Sequence, residues 1–274
     1  MHRDTLEPSK RFSTTSRSYA IAACTALLFS VLLYMGTPLS RAAEREKSTA
    51  DIAKLTTALT DLEATIKVTK YDSAELEKIG SDLKTTYSLR NVNFQYKQPD
   101  KIRIEARSQT RGSALLIMNG ATRYYEVPKL KIKKSENLEA HPGRRQSLLE
   151  YAGLVSTGTL EFMDATMLRE EKLGDRNTIV YNLRFQGEDK GSFYRVWIDK
   201  DTHVTMKREW RDGADKLRAT FVYSDLKEIA QGIWMPTKVD VKNAEGASAA
   251  QLSMTDIKPN QGLTDAPFTP TPAP

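Results

Sequence analysis

The sequence has one cysteine, Cys24, and three histidines, His2, His141 and His203, well separated from one another. It has no paired C-x-x-C, no H-E-x-x-H, no G-x-S-x-G and no G-x-x-x-x-G-K. These absences remove the motif-bearing zinc, redox, serine-hydrolase and nucleotide-binding classes. No metal or cofactor is expected, and the reading is of a protein that is not an enzyme. A hydrolase would need a carboxylate pair assembled only in three dimensions. Asp199-Lys200-Asp201 lacks the later Gly and Glu of a calcium loop and reads as a hairpin turn. Charge of one sign is also scarce once the first 42 residues are set aside. They hold five of the 41 basic and two of the 35 acidic side chains, which leaves 36 against 33, a net of +3. A balance that close gives no basis for a nucleic-acid partner.

Those first residues read as a leader. Arg3, Lys10, Arg11 and Arg17 precede the apolar run Tyr19 to Gly36, and small residues lead to Ala42. Residues 1–42 are therefore expected to be a signal peptide, cut after Ala42, or else a retained anchor, since the run is just long enough to span a bilayer. Lipidation at Cys24 fits less well, because the apolar residues follow that cysteine rather than precede it. The main readings place the folded part in the periplasm, where a cleaved product would have no cysteine for a disulfide.

What is abundant is alternation. Phe193 to Val241 reads as strands joined by short turns, with Asp199 to Thr202 and Arg211 to Asp215 as hairpin signals. Val92, Phe94 and Tyr96 alternate with polar residues, as do Ile102, Ile104 and Ala106 after the Pro99-Asp100 turn. Asn119-Gly120 marks a further hairpin, and Thr178 to Phe185 and Leu252 to Ile257 are further strands. Lys129, Lys131 and Lys133 alternate with Leu130 and Ile132, the pattern of a protected edge strand or of a basic face for anionic headgroups. Helical periodicity is assigned to 43–72, where Ile52, Leu55, Leu59, Leu62 and Ile66 form a stripe. A second helix opens at Asp72 with Leu76, Ile79 and Leu83 inward, and a third covers Arg144 to Val155. Residues 159–173 fit a helix or a strand. The Pro-rich tail, 266–274, is expected to be extended or disordered.

The fold class is thus mainly β (α+β): a curled antiparallel sheet forming an unclosed β-barrel over 73–265, with helices plugging its concave face. Incomplete cover would leave a hydrophobic groove for acyl chains or an apolar peptide. By alternation its lining is Phe94, Tyr96, Ile102, Ile104, Trp197, Trp210, Phe221 and Trp234. The alternative for each is a plain core position.

The segment Tyr96 to Glu105, with Pro99-Asp100-Lys101-Ile102-Arg103 at its centre, resembles the early hairpin of the outer-membrane lipoprotein-sorting proteins, the LolA-like and RseB-like superfamily. Val196 to Thr202, Phe221 to Leu226 and Trp234-Met235-Pro236 resemble its C-terminal half, and the likeness spans Leu76 to Pro270. The resemblance implies about eleven strands around plugging helices. It also implies either a carrier that holds lipoprotein acyl chains or another lipid, or a sensor that binds an envelope membrane protein. No residue of this sequence is matched to the basic side chain by which the carriers latch their lid.

Overall fold

The computed structural model describes residues 47–108, 112–188 and 190–270. The leader, its cleavage or retention, and Cys24 lie outside these residues. A single antiparallel sheet of thirteen strands dominates, two more than the resemblance implies. In chain order they are β1 (Asp61–Tyr71), β2 (Asn91–Lys97), β3 (Lys101–Ser108), β4 (Gly112–Asn119), β5 (Thr122–Val127), β6 (Ile132–Asn137) and β7 (Met163–Leu173). They continue as β8 (Arg176–Phe185), β9 (Phe193–Asp199), β10 (Thr205–Arg211), β11 (Leu217–Ala230), β12 (Ile233–Asn243) and β13 (Ser248–Pro259). Two meanders, β2 to β6 and β7 to β13, are stitched together by β1, which pairs with β2 on one side and β13 on the other. The sheet stays open: β6 is one edge and β7 the other.

That order decides where the helices go. β6 and β7 are consecutive in sequence but stand at opposite edges, so residues 138–162 must cross from one rim to the other. They cross on the concave side and carry α4 (Leu148–Ala152) and α5 (Thr157–Leu160). Ser147 opens α4 with a capping box completed by Glu150, and Ser156 opens α5 in the same way with Thr159. α2 (Ser73–Ile79) and α3 (Ser81–Tyr87) lie between β1 and β2. Asp72 caps α2, its side chain accepting from the backbone N–H groups of Ala74 and Glu75. Glu75 does not close a capping box there; its carboxylate accepts from Lys78 and from the Asn243 amide instead.

The helical reading of 43–72 is corrected. A helix, α1, covers residues 47–53 among those described, and its turn ends by Thr56. From Asp61 the chain is strand β1. Leu62 and Ile66 satisfy a four-residue spacing, but they also satisfy a two-residue one with Ala64 and Val68, and all four are buried. Thr65, Ile66, Val68 and Thr69 are β-branched, and the slot between β2 and β13 supplies ladder partners on both sides. The ambiguous 159–173 resolves into the end of α5 followed by β7. The tail reading is corrected for its described part: Ala266–Phe268 form a 3-10 turn, and Phe268 is fully buried against Ile117 and Tyr124. Arg103 donates to the Pro267 carbonyl at 2.9 Å, and Asp265 pairs with Lys97 and Lys101 at 2.7 and 2.9 Å.

Candidate functional site

The concave face is continuous across the sheet, and register shows why. Leu62, Tyr96, Ile102 and Met118 stand side by side on β1 to β4, followed one step along by Ala64, Phe94, Ile104 and Leu116. Tyr181, Val196, Arg208, Phe221, Val241 and Ala250 form the corresponding row across β8 to β13. Two parts of this face are covered by residues 138–162 together with α1 and the turn after it. Leu148, Ala152 and Leu154 seal the first against Phe94, Tyr96 and Met235, with the Phe94 and Tyr151 rings 5.3 Å apart. Ile52, Leu55, Leu149 and Val155 seal the second against Tyr181, Val196 and Ile198. α2 and α3 close the third part, with Leu76 and Ile79 on Phe221, Val239 and Val241.

Sequence alternation brings most of the expected lining together. Phe94, Tyr96, Ile102 and Ile104 share one cluster, with Ile104 only partly buried; Trp234 packs at its margin, out of step with its inward neighbours Ile233 and Met235. Phe221 and Trp210 lie on the same face but in the cluster under α2 and α3. Trp197 does not join them. Its neighbours Val196 and Ile198 point inward, so Trp197 points outward, where its Nε1 donates to Glu171 and the Lys207 ammonium sits 3.5 Å above its ring. It is buried by charged side chains laid over the convex surface. A large aromatic in a strand signals burial but not which face is buried.

Polar groups fasten the cover. The Tyr223 hydroxyl donates to the Leu149 carbonyl of α4 at 3.2 Å and accepts from Arg208 Nε at 3.1 Å. Arg208 is 3% exposed and lies between the Phe221 and Tyr194 rings, 3.8 and 4.6 Å from their centroids. Burial opposes its charge, but Tyr223, Tyr194 and Glu150 around it outweigh that and raise its pKa above the ordinary value. Burial pushes the Tyr223 and Tyr194 hydroxyls up as well, so both remain protonated. Glu150 accepts from the Ser147 backbone and hydroxyl through Oε2, and its Oε1 is buried without a hydrogen-bond partner. Gly153, the α4 C-cap at φ 66°, is required twice over: a Cβ there would stand 2.8 Å from the Tyr223 ring.

At the other end of the cover Arg145 pairs with Asp100 of the β2–β3 turn at 2.7 Å and lies 4.2 Å above the Phe162 ring. α5 packs so closely on that turn that a Cβ at Gly158 would come 2.1 Å from the Pro99 carbonyl oxygen. Backbone bonds add to this, from Thr205 N–H to Gly153 O and from Thr57 N–H to Val155 O, both 2.9 Å.

Sequence reading missed both arginines. For Arg208 the signal was there: a charged residue between Met206 and Trp210, in step with inward-facing positions of its strand. Arg145 carried none, because its partner is 45 residues away. Among the described residues no group of three or more His, Cys, Asp and Glu could hold a metal ion.

A family model whose description is "-like: Uncharacterized protein" matches residues 102–272, more than half of the chain. No curated protein matches the chain. Several solved structures are similar to it. A DUF1329 family protein from Desulfovibrio piger is 15% identical, with 83% of this chain and 96% of that one covered at a TM-score of 0.56. A protein domain assigned to outer-membrane lipoprotein sorting, from Vibrio parahaemolyticus, is 14% identical, with coverage of 82% and 97% and a TM-score of 0.56. A LolA superfamily protein from Nitrosomonas europaea is 13% identical, with coverage of 83% and 96% and a TM-score of 0.55. The chain belongs to the family that the matching model describes, and its open half-barrel has the fold of these DUF1329, lipoprotein-sorting and LolA-superfamily structures.

Proposed function

We propose that this protein is a periplasmic carrier that holds an acyl chain of a lipoprotein or other lipid between the concave face and the cover formed by residues 138–162. The observation that carries the reading is the composition of the contact between them. The cover meets the sheet through aliphatic side chains, Leu148, Leu149, Ala152, Leu154 and Val155, and is fastened by a small set of polar bonds near its ends and under α4. An acyl chain in their place would exchange apolar contact for apolar contact. Each buried methylene contributes about 0.8 kcal/mol, and displacing the leucines gives most of that back. Loading is then close to balanced, which suits a carrier that must also release. The lid anchored through Tyr223 and Arg208 takes the part of the basic latch that the resemblance implies.

Native mass spectrometry of the protein purified from periplasm with membranes intact, followed by organic extraction, tests this. Bound acyl lipid or lipoprotein supports the carrier and names its cargo. A lipid-free mass with an envelope protein retained contradicts it and favours an interaction module of the same fold.

A further inference from the structure

The β5–β6 hairpin is outside the groove and has no place in the carrier reading. β6 is exposed along nearly its whole length, on both faces, whereas β5 is anchored through Tyr124, buried with Ile117 and Phe268. At the hairpin tip Pro128–Leu130 form a 3-10 turn, closed by Lys131 in the left-handed region at φ 54°. Leu130 is 65% exposed and Ile132 38%. Around them stand Lys129, Lys131, Lys133 and Lys134, all exposed. Of these, Lys134 is already paired with Glu136 and Lys129 is also engaged. Glu126, opposite Lys133 in register, accepts from the Tyr124 hydroxyl, and Glu136 is held by Arg123, Lys134 and Arg144.

We propose that this tip docks the protein on an anionic lipid surface, with Leu130 and Ile132 entering the headgroup layer and the lysines meeting lipid phosphates. Edge protection alone accounts for lysines on a terminal strand. It does not account for Leu130, an aliphatic side chain two-thirds exposed at a turn where any polar residue would serve. Two aliphatic residues within a ring of cations is the arrangement of an interfacial anchor. A protein partner is disfavoured because, among the described residues, the turn Pro128–Leu130 and Lys131 to Lys134 include no aromatic and no arginine, the residues that enrich protein interfaces. Lysines, as mobile point charges, suit a diffuse headgroup layer.

The test places a fluorophore at the tip, Leu130→Trp, in the full chain, with the unsubstituted chain as background for Trp197, Trp210 and Trp234. The apolar run Tyr19 to Gly36 can hold the full chain on any bilayer, so the readout must be local to residue 130. On vesicles of phosphatidylglycerol and brominated phosphatidylcholine, the emission of the new tryptophan should shift to the blue and be quenched. On phosphatidylcholine alone, or in high salt, it should do neither. Each lysine near such a surface is worth about fivefold in partition, so adding Lys131→Glu and Lys133→Glu should weaken the response at least ~25-fold. Emission at residue 130 that is unchanged by anionic vesicles, or that responds equally to neutral ones, overturns the proposal.

Discussion

Tyr223→Phe separates the lid from the sheet with least disturbance of shape. The ring is buried and the substitution removes one oxygen, so no cavity opens. Two hydrogen bonds go: the one from Arg208 Nε at 3.1 Å and the one to Leu149 O at 3.2 Å. The Leu149 carbonyl keeps the Gly153 N–H at 3.1 Å and is not orphaned. Arg208 keeps the Phe221 and Tyr194 rings but loses its hydroxyl partner. The Arg208 bond lies within the sheet, between β10 and β11, so its loss is common to the closed and open states; the neutral bond to Leu149 contributes about 1 kcal/mol. Because the bond to Leu149 joins α4 to β11, its loss falls on the lidded state. If ligand enters only when the lid has lifted, the lid-open fraction rises about fivefold and apparent affinity rises with it. The assay pairs amide exchange over Leu149 to Gly153 with titration of a fluorescent fatty-acid analogue. Faster exchange with tighter binding is expected. Faster exchange with unchanged or weaker binding would refute the idea that the lid competes with ligand.

Asp100→Asn should lower stability by about 2 kcal/mol in thermal unfolding, since it leaves the Arg145 guanidinium, 12% exposed, without its counter-charge while the Phe162 ring still supports it. Breaking the open Lys54–Asp51 pair should change stability by no more than ~0.5 kcal/mol. Trp197→Phe should leave acyl-probe affinity within about twofold, being on the convex face, whereas Ile104→Lys on the concave face should cost at least ~10-fold; the same titration decides both. The Glu136 carboxyl is held down to about 2 by hydrogen bonds from Lys134 and Arg123. Its contribution is therefore complete above the ordinary carboxylate pKa, near 4.5, and is lost as pH falls toward 2. Amide exchange in the β5–β6 hairpin, corrected for intrinsic rates, should accelerate across that window, and Glu136→Gln should flatten the response.

The sheet was largely legible in the sequence because a half-buried antiparallel strand must alternate and its hairpins need turn residues. Pro99-Asp100, Asn119-Gly120 and Asp199 to Thr202 all fall between paired strands. β1 was misread because five apolar residues at steps of three and four fit a helix, and only the ladder partners on β2 and β13, remote in sequence, choose the strand. Phe268 looked like part of a tail because its partners, Ile117 and Tyr124, lie about 150 residues earlier. The concave face was legible as a face but not residue by residue. Alternation finds one side of a strand, which puts Phe94 and Tyr96 on that face; it does not say that Trp197 is roofed by Glu171 and Lys207. The lid's fastenings are pairings between distant segments, and one sequence carries no record of those.

In the proposed carrier an acyl chain takes the place of the lid's leucines on the concave face. A fatty acid bearing a photoreactive group near its methyl end, cross-linked to the protein and mapped by peptide mass spectrometry, tests it directly. Adducts are expected on inward residues of β2 to β4 and on the lid, such as Phe94, Met118 and Leu148, reduced by competition with unlabelled fatty acid. Adducts confined to convex residues, or unaffected by competitor, would contradict it.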